Sequence, residues 1–141
     1  MQPIRTTTAE YSILEKQIIL CRMLENAHVD LPEVKENFEA TMKLADGKPY
    51  AALLDARVTA TVTKEAMEEV AKPEYCRLLV ANAIVINSLA NRLIGNFIIK
   101  FYKPPSPTKL FSDHEAARTW LRGKLERKMG GERLIEKNMY P

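Results

Sequence analysis

The side chains best placed to bind a partner or accept a phosphoryl group follow two apolar segments, residues 50–54 and 77–86. If both segments are parallel strands, their ends meet at one edge of a sheet, where ligands of open α/β folds usually bind. We therefore expect a polar, partner-facing rim there. Asp, Asn, Ser and Thr also favour turns and helix caps, so purely local roles are the alternative. The rim residues are Asp55, Thr61, Thr63, Asn87 and Ser88.

The histidines and cysteines offer no catalytic or metal-binding pattern. His114 follows Asp113, but adjacent residues at a helix start point in different directions, and no nucleophile has a suitable setting. Cys21 and Cys76 lack CxxC spacing and are expected to be reduced core residues. With five glycines in the chain, no usual phosphate-binding loop can form. We therefore predict a protein that is not an enzyme, with no catalytic residue, metal or cofactor; an enzyme with an unusual site is the alternative.

Composition argues against several classes of partner. The net charge of +3 arises near the C-terminus, because residues 118–141 contain seven Lys and Arg against three Asp and Glu. A broad basic face with interleaved aromatic residues is missing, so we expect no nucleic-acid partner. No apolar stretch approaches the roughly 20 residues of a membrane span, and the N-terminus lacks the apolar core of a secretory signal. The predicted location is the cytoplasm.

Strand and helix patterns alternate along the chain after an opening β-hairpin at residues 11–24. Unbroken apolar runs are typical of strands covered on both faces. Strands are predicted at 50–54, 77–86 and 109–112, and helices at 31–45, 64–71, 89–101 and 114–128. Their N-caps are predicted to be Asp30, Thr61 or Thr63, Asn87 or Ser88, and Ser112 or Asp113. For residues 97–102, which are rich in aromatic and β-branched side chains, a strand is the alternative.

The order of these elements, ββαβαβαβα, predicts an α/β fold with a single-layer, mostly parallel sheet and helices on its faces. We divide the chain into an N-terminal arm (1–10), the α/β domain (11–127) and a C-terminal tail (128–141). The two segments 50–54 and 78–86 are expected to lie side by side in the middle of the sheet.

Two stretches of the sequence resemble the STAS/SpoIIAA-like group of small α/β domains, and most closely bacterial STAS-like proteins of unassigned function. They are "GKPYAALLDAR", which resembles the family's central strand, and "KPPSPTKLFSDHEAARTWL", which resembles its recurring C-terminal part. The resemblance implies a regulatory, protein-binding domain, and in some SpoIIAA-like relatives an apolar ligand. In STAS anti-sigma-factor antagonists a serine after the central strand is phosphorylated. Here Asp55 is followed by Ala56-Arg57-Val58, so that motif is absent, and Thr61 and Thr63 lie nearest its place.

The helix predicted at 89–101 is apolar around more than one stripe, which indicates a second neighbour. A partner subunit in a homodimer, internal burial, and an apolar ligand are the three candidates. The residues concerned are Leu93, Phe97, Ile98 and Phe101. Our leading prediction is a dimeric regulatory or protein-interaction domain with a regulatory protein partner; the alternative is a carrier of a small lipid-like ligand held beside this helix.

Overall fold

The predicted strands and helices occur together with short additional strands and one short additional helix in a computed structural model that describes residues 2–139, without the side chains of 90, 94, 97, 98, 101, 102 and 131–139. The strands are β1 (Ile4–Arg5), β2 (Ala9–Glu15), β3 (Ile18–Met23), β4 (Ala27–Val29), β5 (Tyr50–Asp55), β6 (Ala60–Val62), β7 (Leu79–Val85) and β8 (Thr108–Phe111). The helices are α1 (Leu31–Ala45), α2 (Lys64–Val70), α3 (Pro73–Cys76), α4 (Leu89–Tyr102) and α5 (His114–Met139).

The main sheet has the strand order β1-β2-β3-β5-β7-β8. Strands β5 and β7 are parallel neighbours in the middle of this sheet, with Leu53 opposite Ala83. The expected adjacency of the two apolar segments is therefore confirmed. Strand β5 also runs parallel to β3, and β7 runs parallel to β8.

The predicted N-terminal β-hairpin is confirmed, because β2 and β3 are an antiparallel pair. The structure differs from the predicted topology in its small elements: β1 adds an antiparallel edge to β2, and the parallel part of the sheet starts at β3. A separate two-stranded parallel sheet joins β4 to β6. Neither this sheet, β1 nor α3 was predicted, because each consists of only two to four residues and carries no measurable periodicity.

Both chain ends also differ from the proposed division. Residues 1–10 contain β1 and the start of β2, so the expected arm contributes the edge of the sheet. Asn37 of α1 holds the connection between these strands, because its side chain pairs with the hydroxyls of Thr6 and Thr8. At the other end, α5 continues past residue 128 to Met139, so the tail begins as part of the last helix.

The N-caps of the predicted helices lie at residues that the sequence analysis predicted. Asp30 and Glu33 form the capping box that opens α1. Thr63 caps α2, Ser88 caps α4, and the Asp113 carboxylate accepts the Ala116 N–H at the start of α5. Helix α4 extends through residues 97–102, which rules out the strand alternative for that segment.

The two faces of the sheet are covered differently. On one face α5 packs along the middle of the sheet, where Leu121 contacts a core built around Leu53 and Val85. On the other face α1 packs over β2 and β3, whereas α4 packs over β8. The central strands β5 and β7 therefore lie in the gap between two helices on this second face.

Candidate functional site

Asp55, the first residue of the predicted rim, is engaged in a local network. Its carboxylate accepts hydrogen bonds from Arg57 Nε (3.0 Å), Arg57 Nη2 (2.8 Å) and the Arg57 backbone N–H (3.2 Å). His114 Nε2 lies 2.9 Å from the second carboxylate oxygen, Oδ2. These contacts tie the end of β5 to the start of α5.

The electrostatics of Asp55 fit a structural role. Hydrogen bonds from the Arg57 side chain hold the pKa of the Asp55 carboxyl well below its usual range, against the opposing effect of partial burial. The residue is 8% exposed. A carboxylate whose pKa is held this low is a poor proton acceptor. The pair that Asp55 forms with Arg57 is one of the purely local roles stated as the alternative for the rim residues.

Thr61 and Thr63 belong to a second network, which joins the small sheet to the starts of two helices. Thr61 Oγ1 lies 2.7 Å from His28 Nδ1, across the β4–β6 pair. The Thr63 hydroxyl donates to Asp30 Oδ1 (2.9 Å) and accepts the Ala66 N–H (3.0 Å). The caps of α1 and α2 therefore share one hydrogen-bonded cluster, and both hydroxyls already have partners.

Asn87 and Ser88 complete the predicted rim. Both are exposed, and the Ser88 hydroxyl accepts the Asn91 N–H as the N-cap of α4. No hydrogen bond among the described residues joins them to Asp55, Thr61 or Thr63. The hydrogen bonds that the structure describes for Asp55, Thr61, Thr63 and Ser88 are thus local ones.

Of the surface predicted on α4, only Leu93 has a described side chain. It is 63% exposed, and Leu89 one turn earlier is 73% exposed. Phe97, Ile98 and Phe101 lie outside the described side chains. This face of α4 therefore presents at least two large apolar residues to solvent.

A cavity of about 830 Å³ occupies the second face of the sheet, between α1 and α4. Its floor includes Leu54 of β5, Asn82 and Ile84 of β7, and Leu110 of the edge strand β8. Its walls come from Val34 and Phe38 of α1; Met67 and Val70 of α2, with Ala71 after it; Tyr75 and Cys76 of α3; and Asn91, Gly95 and Ile99 of α4. Ala56 and residues 58–62 also line it.

The architecture explains why this space exists. Helices α1 and α4 pack over the outer strands, which leaves a space over β5 and β7 that is lined by the described residues named above. Gly95 brings α4 close to β8, because a Cβ at this position would lie 2.8 Å from a methyl carbon of Leu110. The helix is thus seated on the edge strand of the sheet, and the cavity lies on its inner side.

Apart from Thr61, which belongs to the predicted rim, the described residues that line the cavity were not selected as a site by the sequence analysis. The cavity lies beside α4, at the place where the carrier hypothesis put a ligand. The residue that could have indicated this cavity in the sequence is Asn82, a polar residue inside the otherwise apolar run "LLVANAIVI". Cys76, expected in the core, lines the cavity, and partial burial raises the pKa of its thiol. Burial raises the pKa of the other thiol, Cys21, to about 11.

Within the described residues, no group of three or more His, Cys, Asp or Glu side chains could hold a metal ion. No described helix is long and apolar enough to cross a membrane.

Residues 12–124 match the model of a family described as a domain of unknown function, DUF7793. No curated protein matches the sequence.

The fold is similar to that of an uncharacterised protein of the DUF3478 family from Shewanella loihica PV-4, whose crystal structure is described as SpoIIAA-like. The match has a TM-score of 0.62 at 14% sequence identity, and it covers 86% of this chain and 99% of the other. The SpoIIAA-like fold implied by the sequence resemblance is therefore confirmed.

Proposed function

Since the chain belongs to the DUF7793 family, a domain of unknown function, we propose its role from its geometry: it is a non-enzymatic domain that binds a small apolar ligand between α1 and α4. The cavity of about 830 Å³ on the face of β5 and β7 is the observation that carries this proposal. Ligand pockets typically enclose roughly 300–1,000 Å³ and are lined mainly by apolar side chains.

The position of the cavity supports binding more than it supports a packing defect. Protein interiors are close-packed, and voids larger than a few water molecules are rare because their lining loses dispersion contacts. This space spans the two central strands and is bounded by four helices. A ligand with apolar surface would restore those contacts.

A non-enzymatic role is supported by the side chains around the cavity. Asp55 and His114 are paired with each other, and Arg57 shares the same carboxylate. None of these three residues lines the cavity. The described lining contains no Asp, Glu, His, Lys or Arg, and burial raises the pKa of the Cys76 thiol, so the proposed activity is capture and release.

Native mass spectrometry of freshly purified protein tests the proposal, together with titration by the neutral fluorescent dye Nile red. We expect either a retained lipid-sized mass or saturable Nile red binding at one site per chain. Ile84→Trp, which puts an indole into the cavity floor, should weaken binding by at least tenfold. The matched control is Ile13→Trp, at a position that is 44% exposed on β2 and outside the cavity, and it should bind as the wild type does.

Two results would overturn the proposal. One is the absence of both a retained mass and dye binding in folded wild-type protein. The other is equal dye binding by wild type and Ile84→Trp, with far-UV circular dichroism unchanged between them.

A second candidate, the regulatory protein-interaction domain, is favoured by α4. Leu89 and Leu93 expose large apolar side chains one turn apart, as expected of a homodimer or partner contact. The two roles are compatible, because the exposed face of α4 and its cavity-facing residues Gly95 and Ile99 belong to one helix. A cytoplasmic, bacterial setting remains part of this proposal and rests on the sequence resemblance alone.

A further inference from the structure

We infer that the cavity selects an uncharged ligand bearing a hydrogen-bonding group, and that the Asn82 side chain binds this group. The inference rests on the proposed function, since it concerns the same cavity. It adds the chemical class of the ligand and the residue that orients it.

Asn82 lies in the centre of the cavity floor. It is the fourth residue of β7, with Ala52 of β5 opposite on one side and Thr108 of β8 on the other. Its backbone N–H donates to the carbonyl of Pro107 at 2.8 Å. The backbone is therefore fixed in the sheet, and the side chain stands on the face that lines the cavity.

The Asn82 amide has no hydrogen-bond partner among the described residues. It is half-buried, and none of its polar atoms is sealed off from the cavity. Neighbouring hydroxyls are already engaged: Ser106 donates to the Leu79 carbonyl (2.8 Å), and Thr108 donates to the Ser106 carbonyl (3.0 Å). Asn82 is thus the polar group of the floor that is left to interact with a ligand.

An asparagine at this position carries a cost that a ligand would offset. Asn is disfavoured in strands, and an unpaired amide in an apolar cavity loses much of its hydration. The amide has two N–H donors and one carbonyl acceptor, so it can pair with a hydroxyl, a carbonyl or an ester. A fully apolar ligand would leave it unpaired.

Charge is missing from the lining. None of the described residues that line the cavity is Asp, Glu, Lys, Arg or His. A carboxylate or ammonium group would have to be desolvated there without a counter-ion, which is strongly unfavourable. The lining therefore favours a neutral molecule, such as a long-chain alcohol or ester, over a fatty-acid anion.

Three probes of one shape test the inference: naphthalene, 2-naphthol and 2-naphthoate, each titrated at pH 7 to displace Nile red. The first is apolar, the second adds a neutral hydroxyl, and the third is anionic. We expect 2-naphthol to bind about fivefold more tightly than naphthalene, the ratio that one net hydrogen bond supplies. We expect 2-naphthoate to bind at least tenfold more weakly than 2-naphthol.

Variants locate the effect. Asn82→Leu, which has nearly the same shape, should remove the preference for 2-naphthol over naphthalene. Asn96→Leu is the matched control, because Asn96 is exposed on α4 and does not belong to the described lining of the cavity, and it should keep the preference.

Failure of the inference is distinguishable from failure of the proposed function. Three results would overturn the inference and leave the cavity as a binding site. The wild type could bind naphthalene and 2-naphthol equally, or it could bind 2-naphthoate most tightly of the three. Folded Asn82→Leu could also keep the full preference for 2-naphthol over naphthalene. If Nile red and all three probes fail to bind folded wild-type protein, the inference about Asn82 and the proposed function are both refuted. The comparison of probes on wild type needs no variant to fold.

Discussion

Replacing Asp55 with Asn separates the structural reading of this residue from a functional one. The substitution keeps the size of the side chain and one carbonyl oxygen, but it removes the negative charge that Arg57 and His114 contact. The Asp55 side chain is 11% exposed, whereas that of Arg57 is 43% exposed, so solvent screens the ion pair in part.

The expected loss follows from the contacts. A hydrogen bond to a charged group contributes roughly 1.5–3 kcal/mol when it is shielded, and an exposed ion pair contributes about 1 kcal/mol or less. Asn at position 55 retains an acceptor for the Arg57 backbone N–H and loses most of the contacts with the Arg57 and His114 side chains. We therefore expect the free energy of unfolding at pH 7 to fall by about 2 kcal/mol, measured by urea denaturation and far-UV circular dichroism. Asp46→Asn is the control: Asp46 is exposed, with a φ of 52°, a conformation that Asn adopts readily, so its change should stay below roughly 0.5 kcal/mol.

The pH dependence of this difference has a defined sign. The pKa of Asp55 is lower in the folded protein than in the unfolded chain, where it is about 3.9. The stabilisation is therefore fully present well above pH 4 and is lost as the pH falls through the folded pKa. The difference in the free energy of unfolding between wild type and Asp55→Asn should be constant from pH 7 to pH 5 and should decrease on further acidification. A gap below about 0.5 kcal/mol at pH 7, or one that widens in acid, would refute the reasoning.

Three further outcomes follow from other contacts. Cys76 lines the cavity, whereas Cys21 does not and burial raises the pKa of its thiol to about 11, so a small alkylating reagent should modify Cys76 first. Saturating Nile red should slow the alkylation of Cys76 at least threefold; equal rates with and without dye would contradict the shared site. Thr63→Ala removes the α2 cap and the hydrogen bond to Asp30, so it should lower the free energy of unfolding, measured by urea denaturation, by about 1–2 kcal/mol. Thr63→Ser should lower it by less than half as much; equal losses would show that the hydroxyl does not supply the stabilisation. Leu93→Asp should convert any dimer seen by sedimentation to monomer, and Lys109→Asp, at an exposed position of β8, is the control. If the wild type is a dimer and Leu93→Asp keeps the mass of that dimer, this face of α4 is not the dimer interface.

Much of the fold could be predicted because local signals and buried strands agree. The apolar runs that became β5 and β7 do not alternate, as expected for strands covered on both faces. The caps at Asp30, Thr63 and Ser88 lie where side-chain oxygens can accept the first free N–H groups of a helix. These features depend on a few neighbouring residues, so a single sequence reveals them.

The small sheet and the edge strand depend on contacts between distant residues. Strand β4 pairs with β6 through Ala27 opposite Ala60 and Val29 opposite Val62, across more than 30 positions of sequence. Three-residue strands have no period to detect, and their pairing is decided by the helices around them. The link between Asp55 and His114 spans 59 positions and was missed for the same reason.

The site could be predicted only in outline. The spacing of polar residues suggested a rim, and in the folded chain Thr63 and Ser88 are helix caps while Asp55 pairs with Arg57. A cavity is set by the distance between two helices that pack on different strands, and no residue pattern encodes that distance. Asn82 was the visible exception, because a polar residue within a central strand conflicts with burial on both faces unless something is there to meet it.

The most direct test of the central claim is an isotope-filtered NOESY experiment on methyl-labelled protein saturated with 2-naphthol. Binding in the proposed cavity predicts cross-peaks from the naphthol ring to the methyl groups of Leu54, Ile84 and Leu110, which point into the cavity. Cross-peaks confined to Leu121 or Leu125 on the α5 face, or to Leu89 and Leu93 on the outside of α4, would contradict it.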